Sequence, residues 1–171
     1  MFLPGTSESI ERTTYLPLLK AIYLERNWDA VTCLLDNHPA TTTVRFMHKG
    51  STILNMVVLT GDLEKIEKLV QIVSTEELGT QDHEGNIALA IAAVLSTTRV
   101  AECLITKYQK LITIPDKNGM VPVVKACYYH HKDMTQFLYC QTPIEFLAPE
   151  SGDHGSLLLH FCLLNKILGK S

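Results

Sequence analysis

Four glycines, Gly50, Gly85, Gly119 and Gly155, stand 35, 34 and 36 residues apart, and each opens a segment of one design. Three residues after each comes a small or apolar residue and then an aliphatic one: Ile53-Leu54, Ala88-Leu89, Pro122-Val123 and Leu158-Leu159. Pro17-Leu18 stands in the same relation to Thr14. A period in the thirties marks stacked units, none of which can bury its apolar face alone. The period therefore predicts an all-α solenoid of helix-turn-helix units with short connecting loops. Four units are full and a fifth is partial, with starts near residues 14, 50, 85, 119 and 155.

The second unit shows the design most clearly. Gly50-Ser51-Thr52 precedes a first helix expected over Ile53 to Leu59, and Thr60-Gly61-Asp62 breaks it. Glycine supplies a permissive backbone there, and Asp62 can cap the next helix. Leu63, Ile66, Leu69, Val70 and Val73 then fall on one helical face, with Glu64, Lys65, Glu67 and Lys68 on the other. Equivalent breaks are expected at Arg26-Asn27, Ser96-Thr97-Thr98 and His130-His131. Seven residues into each unit the side chain is small (Ala21, Ala92, Ala126, Cys162), with Val57 the exception, so the first helices can approach closely. Asp82 and Asp116 lie three residues before a glycine and Asp153 two before; a short acceptor there can bond turn N–H groups. Between Leu138 and Asp153 an irregular connection carries Pro143 and Pro149, and the last helix is expected from Leu157 to about Lys166. Residues 1–13 are patternless and read as a flexible lead-in.

Charge excludes one class of partner. A net charge of −3, with 19% charged residues, provides no footprint for a nucleic-acid backbone. The five cysteines are odd in number and widely spaced, which suits buried thiols in a reducing compartment. The N-terminal residues lack the basic and long apolar regions of a signal peptide. Ile87 to Leu95, the longest apolar run, is too short to span a bilayer, so the chain is expected to be cytoplasmic with no membrane span of its own. No nucleophile motif, paired carboxylates or four-ligand metal set stands out, so neither an enzyme nor a cofactor or metal is expected. Cys127, His130 and His131 make at most half a zinc site.

The residues also carry a resemblance. Asp116-x-x-Gly119-x-x-Pro122-Val123-x-x-Ala126 resembles the turn and first helix of ankyrin repeats, Gly50-Ser51-Thr52-Ile53-Leu54 keeps part of the same motif, and Gly61 stands at the family's inter-helix glycine. His160 and His131 match the family's two histidines; the second implies a hydrogen bond between loops. Tyr15-Leu16-Pro17-Leu18 with Trp28, and residues 152–161, are similar to plant ankyrin proteins of the accelerated-cell-death type. In those proteins the repeats precede a hydrophobic membrane domain called PGG, and the family implies roles in stress or defence signalling. This chain ends before such a domain.

The resemblance implies a non-catalytic protein-protein interaction module. The alternative is a shortened form of a membrane-anchored family member, held at the cytosolic face of the plasma membrane. Ankyrin arrays bind proteins in a concave groove lined by loop tips and first-helix ends. By position, the tips include His48, Lys49, His83, Glu84, Lys117 and Asn118. The helix ends include Tyr23, Leu24, Leu59, Val94, Leu95, Tyr128 and Tyr129, and they are apolar for positions expected to face water. Such a stripe either grips a protein partner or turns inward beneath the loops. The last helix is apolar almost all round, so without a covering segment it is expected to fray or self-associate.

Overall fold

A computed structural model describes residues 16–25, 27–37, 42, 45–46 and 50–165. Regular structure among them is helical, apart from one isolated antiparallel bridge between Phe46 and Ser51. Four hairpins follow one another. They pair α1 (Lys20–Leu24) with α2 (Trp28–Asn37), and α3 (Ile53–Val58) with α4 (Leu63–Ile72). After the single turn α5 (Thr75–Leu78) come α6 (Ala88–Val94) with α7 (Thr98–Lys107), and α8 (Pro122–Tyr128) with α9 (Lys132–Gln141). The helix α10 (His154–Leu164) follows without a second helix among the described residues. First helices pack on first helices, α3 on α6, α6 on α8 and α8 on α10; second helices do likewise, α4 on α7 and α7 on α9.

Local chemistry explains these boundaries. Thr52 caps α3 by accepting the Asn55 N–H at 3.2 Å, and Asp62 caps α4 by accepting the Lys65 N–H at 3.3 Å. Ser74 and Glu77 form a reciprocal capping box around α5, and Asn27 accepts the Ala30 N–H at 3.1 Å before the bulk of α2. Between the two helices of the last three hairpins the chain reverses through a left-handed residue: Gly61 (φ 69°), Ser96 (φ 57°) and His130 (φ 65°). Glycine adopts that conformation freely, whereas serine and histidine hold it at a cost of about 1 kcal/mol. The small residues Ala21, Ala92, Ala126 and Cys162, and Val57 at the same place, are all buried where neighbouring first helices meet.

Several expectations need correction. The expected helix of the first unit winds as an α-turn into π geometry over Lys20–Leu24. The last helix begins at His154, three residues before Leu157, and takes Gly155 into its first turn. A Cβ on Gly155 would stand 2.0 Å from the Leu147 carbonyl oxygen, so only glycine allows the 3-10 turn Ile144–Leu147 to lie so close. Of the five cysteines only Cys127 and Cys162 are buried; Cys33 and Cys140 are exposed and Cys103 is half-buried. Thr14, Lys166 and the lead-in lie outside the described residues. No helix among those described is long and apolar enough to cross a membrane.

Candidate functional site

Two turns project side by side from the hairpin stack. In the first, the Asp82 N–H donates to the Asn86 carbonyl at 2.9 Å and the Gly85 N–H to the Asp82 carbonyl at 3.0 Å. Asp82 Oδ1 accepts the N–H groups of Glu84 and Asn86 at 2.9 and 2.7 Å. One period later Asp116 repeats the pattern: its N–H reaches the Met120 carbonyl at 3.0 Å, and its Oδ1 accepts from Asn118 and Met120 at 2.8 and 2.9 Å. An aspartate closes each turn internally, as its place before the glycine predicts. Asp153 departs from this: no side-chain cap bond forms, and helix replaces the turn.

The two turns are tied to each other. The Lys117 N–H donates to the Glu84 carbonyl at 3.1 Å, and Gln81 Nε2 donates to the Pro115 carbonyl at 2.8 Å. Gly85 (φ 83°) sits at the point of approach, where a Cβ would come 2.6 Å from the Lys117 nitrogen. Histidines fasten other units together. His131 Nε2 lies 2.7 Å from the Val94 carbonyl, and His154 Nδ1 lies 3.2 Å from the Gly119 carbonyl while its ring stacks on Phe146. The inter-unit bond expected of His131 is present. Cys127 and Cys162 hold α8 against α10 with sulfurs 3.2 Å apart, and burial followed by the neighbouring thiol pushes the Cys127 thiol up to about 12.

The candidate residues divide into tips and helix ends. His83, Glu84, Lys117 and Asn118 occupy the tips and are exposed, and the His83 ring also lies over Gly50 of the preceding unit. His48 and Lys49 lie outside the described residues. Tyr23, Leu24, Leu59, Leu95, Tyr128 and Tyr129 all face solvent at the ends of first helices, with Tyr128 and Tyr129 45% and 47% exposed. Val94 is half-buried and contributes its carbonyl to His131. Six of the seven helix-end side chains thus remain outside the core, in four consecutive hairpins. Tyr128 is braced edge-on by both Tyr129 and Phe161, each at 5.1 Å between ring centres.

One residue was missed in the sequence. Lys125, in the apolar run of α8, is buried, and its Nζ reaches Asp116 Oδ2 at 2.8 Å and also Asn86 Oδ1. Burial alone would raise the Asp116 carboxyl; the Lys125 bond, the Met120 and Asn118 amides and the lysine charge outweigh it and hold the group below its ordinary value. A signal existed. Six residues after their starts the second, third and fifth units carry Met56, Ile91 and Phe161, while the first carries Lys20, so the lysine departs from three of the other four units.

No protein-family model matches the chain, and no curated protein matches it. Among solved structures, a chain of the crystal structure of the yeast ribosomal protein Rps3 in complex with its chaperone Yar1 superposes with a TM-score of 0.66 at 17% identity. The match covers 81% of this chain and 96% of that one. Likeness at this identity is likeness of fold.

Proposed function

We propose that the hairpin stack is an ankyrin-repeat array and that it acts as a non-catalytic module that binds a protein through its turn tips and first-helix ends. The observation that carries this reading is the recurrence of exposed apolar and aromatic side chains at one place in consecutive units: Tyr23-Leu24, Leu59, Leu95 and Tyr128-Tyr129. Singly, exposed hydrophobics are ordinary; aligned along one flank they form a surface that gains by being covered, with the tyrosines as anchors. The repeat of the Asp82 and Asp116 turns, and the left-handed reversals at Gly61, Ser96 and His130, support the ankyrin reading of the stack. The solved neighbour is a complex of a ribosomal protein with its chaperone, so this fold occurs where two proteins are held together.

The test begins with affinity capture from cell extract and identification of the captured protein by mass spectrometry. The isolated pair is then measured with Tyr128→Ser/Tyr129→Ser and with Tyr129→Ser alone, which spares the ring against Phe161. The double variant should weaken binding at least about tenfold, as expected for two anchors worth about 1 kcal/mol each, while melting near the parent temperature. Undiminished affinity in a folded double variant rules the stripe out.

A further inference from the structure

Between the two tied turns lies a cleft of about 330 Å³, lined by Glu84, Asn86, Lys117, Asn118, Lys125 and Tyr129 among others. Its donors are the Lys117 ammonium, the Asn118 amide, the Tyr129 hydroxyl and the Lys125 ammonium; of its two carboxylates, Asp116 is already engaged by Lys125 and by the amides of its own turn. An ammonium has three N–H groups. Two of those of Lys125 are taken by Asp116 and Asn86, and no third partner exists among the described residues. Lys125 is buried and borders the cleft, with capacity for one more acceptor.

The position of this lysine is the second observation. The second and third units carry Met56 and Ile91 at this place; the first carries Lys20, whose side chain is 61% exposed, so Lys125 departs from all three as a buried cation. A buried ion pair is seldom more stable than the hydrophobic side chains that could replace it, so stability does not account for Lys125. Departures from a fold's own pattern concentrate where function is served. We infer that this cleft is a recognition subsite for a carboxylate side chain, an aspartate or glutamate on the protein that covers the tyrosine stripe. The carboxylate accepts from Lys125 and Asn118 and is screened by Lys117. The inference rests on the protein-binding reading and adds to it the chemistry of one contact.

Capped alanine pentapeptides with a central glutamate or a central glutamine provide the probe, with acetate as a third ligand. Each is titrated into the full ¹⁵N-labelled chain while the side-chain amide signals of Asn86 and Asn118 are followed. The glutamate peptide should move both signals and bind at least about tenfold more tightly than the glutamine peptide. Lys117→Ala should reduce that preference about threefold. Lys125→Met/Asp116→Asn, which removes both buried charges together, should abolish it in a folded chain. Equal binding of the two peptides, or a preference that survives the double exchange, overturns the subsite. Acetate binding as tightly as the glutamate peptide overturns the assignment to a partner's side chain. The peptides are titrated into the parent chain without any captured partner, so equal binding of the two peptides marks failure of the cleft, whereas undiminished partner affinity in the tyrosine variants marks failure of the stripe.

Discussion

The turns at residues 82–86 and 116–120 are built on the same backbone, yet their aspartates are neutralised differently. Asp82 Oδ2 takes a hydrogen bond from the Asn86 side chain, a neutral donor on the same turn. Asp116 Oδ2 takes a buried cation from the helix that follows. Asn86 then links the two, because its amide group donates to Asp82 while its carbonyl oxygen accepts from Lys125. One turn is therefore self-contained, and the other depends on a tertiary ion pair. The lesson is that a conserved local geometry does not imply a shared energetic basis. Backbone closure comes from the aspartate's position alone, while the cost of burying the carboxylate is settled by whatever packs beneath it.

The largest effect should come from breaking the pair. Lys125→Ala leaves the Asp116 carboxylate buried without its cation and should cost about 3–5 kcal/mol in a denaturant titration. Lys125→Met/Asp116→Asn should recover most of that loss, since neither charge then remains. A double variant as unstable as the single one would mean that shape, not charge, holds the second turn.

Acid should discriminate next. The Asp116 carboxyl sits below its ordinary value in the folded chain, so the folded state binds fewer protons there than the unfolded chain does. Its contribution is complete above the ordinary carboxylate value of about 4 and is lost as pH falls through the depressed folded value. Unfolding free energy should therefore drop below about pH 4, and less steeply in Asp116→Asn, measured by denaturant titrations from pH 6 to pH 2. Parallel curves for parent and variant would assign the acid sensitivity to other groups.

The smallest effect concerns the reversals behind the two turns. Gly61 holds its left-handed conformation freely, whereas Ser96 and His130 do not. Ser96→Gly and His130→Gly should each stabilise the chain by about 0.5–1 kcal/mol, read as a rise in melting temperature of a few degrees. A fall in either would show that the side chain makes a contact worth more than the strain.

Much of this architecture was readable without coordinates, for a physical reason. Glycine spacing, capping side chains such as Asp62, and the three-four apolar rhythm of α4 act within a few residues, so their consequences follow from order along the chain. The inter-unit role of His131 was legible through the family resemblance. The period puts these residues at the ends of first helices, but their exposure was open, since a terminal tyrosine can turn either way until its neighbours are set. Other features were hidden because they depend on distant segments. Asp153, one residue out of step, forms no turn, and α10 begins early where Leu147 closes over Gly155. The pairing of Cys127 with Cys162 joins residues 35 apart, and the bond from Lys125 to Asn86 spans 39.

By itself the sequence determined the helical character of the described residues and the order of their hairpins, because each amphipathic helix must lay its apolar face on a neighbour. The tertiary structure decided which polar groups meet. Long side chains such as Lys125 have no preferred partner until packing excludes water and leaves one carboxylate within reach, and that selection turns a repeated turn into a distinct cleft.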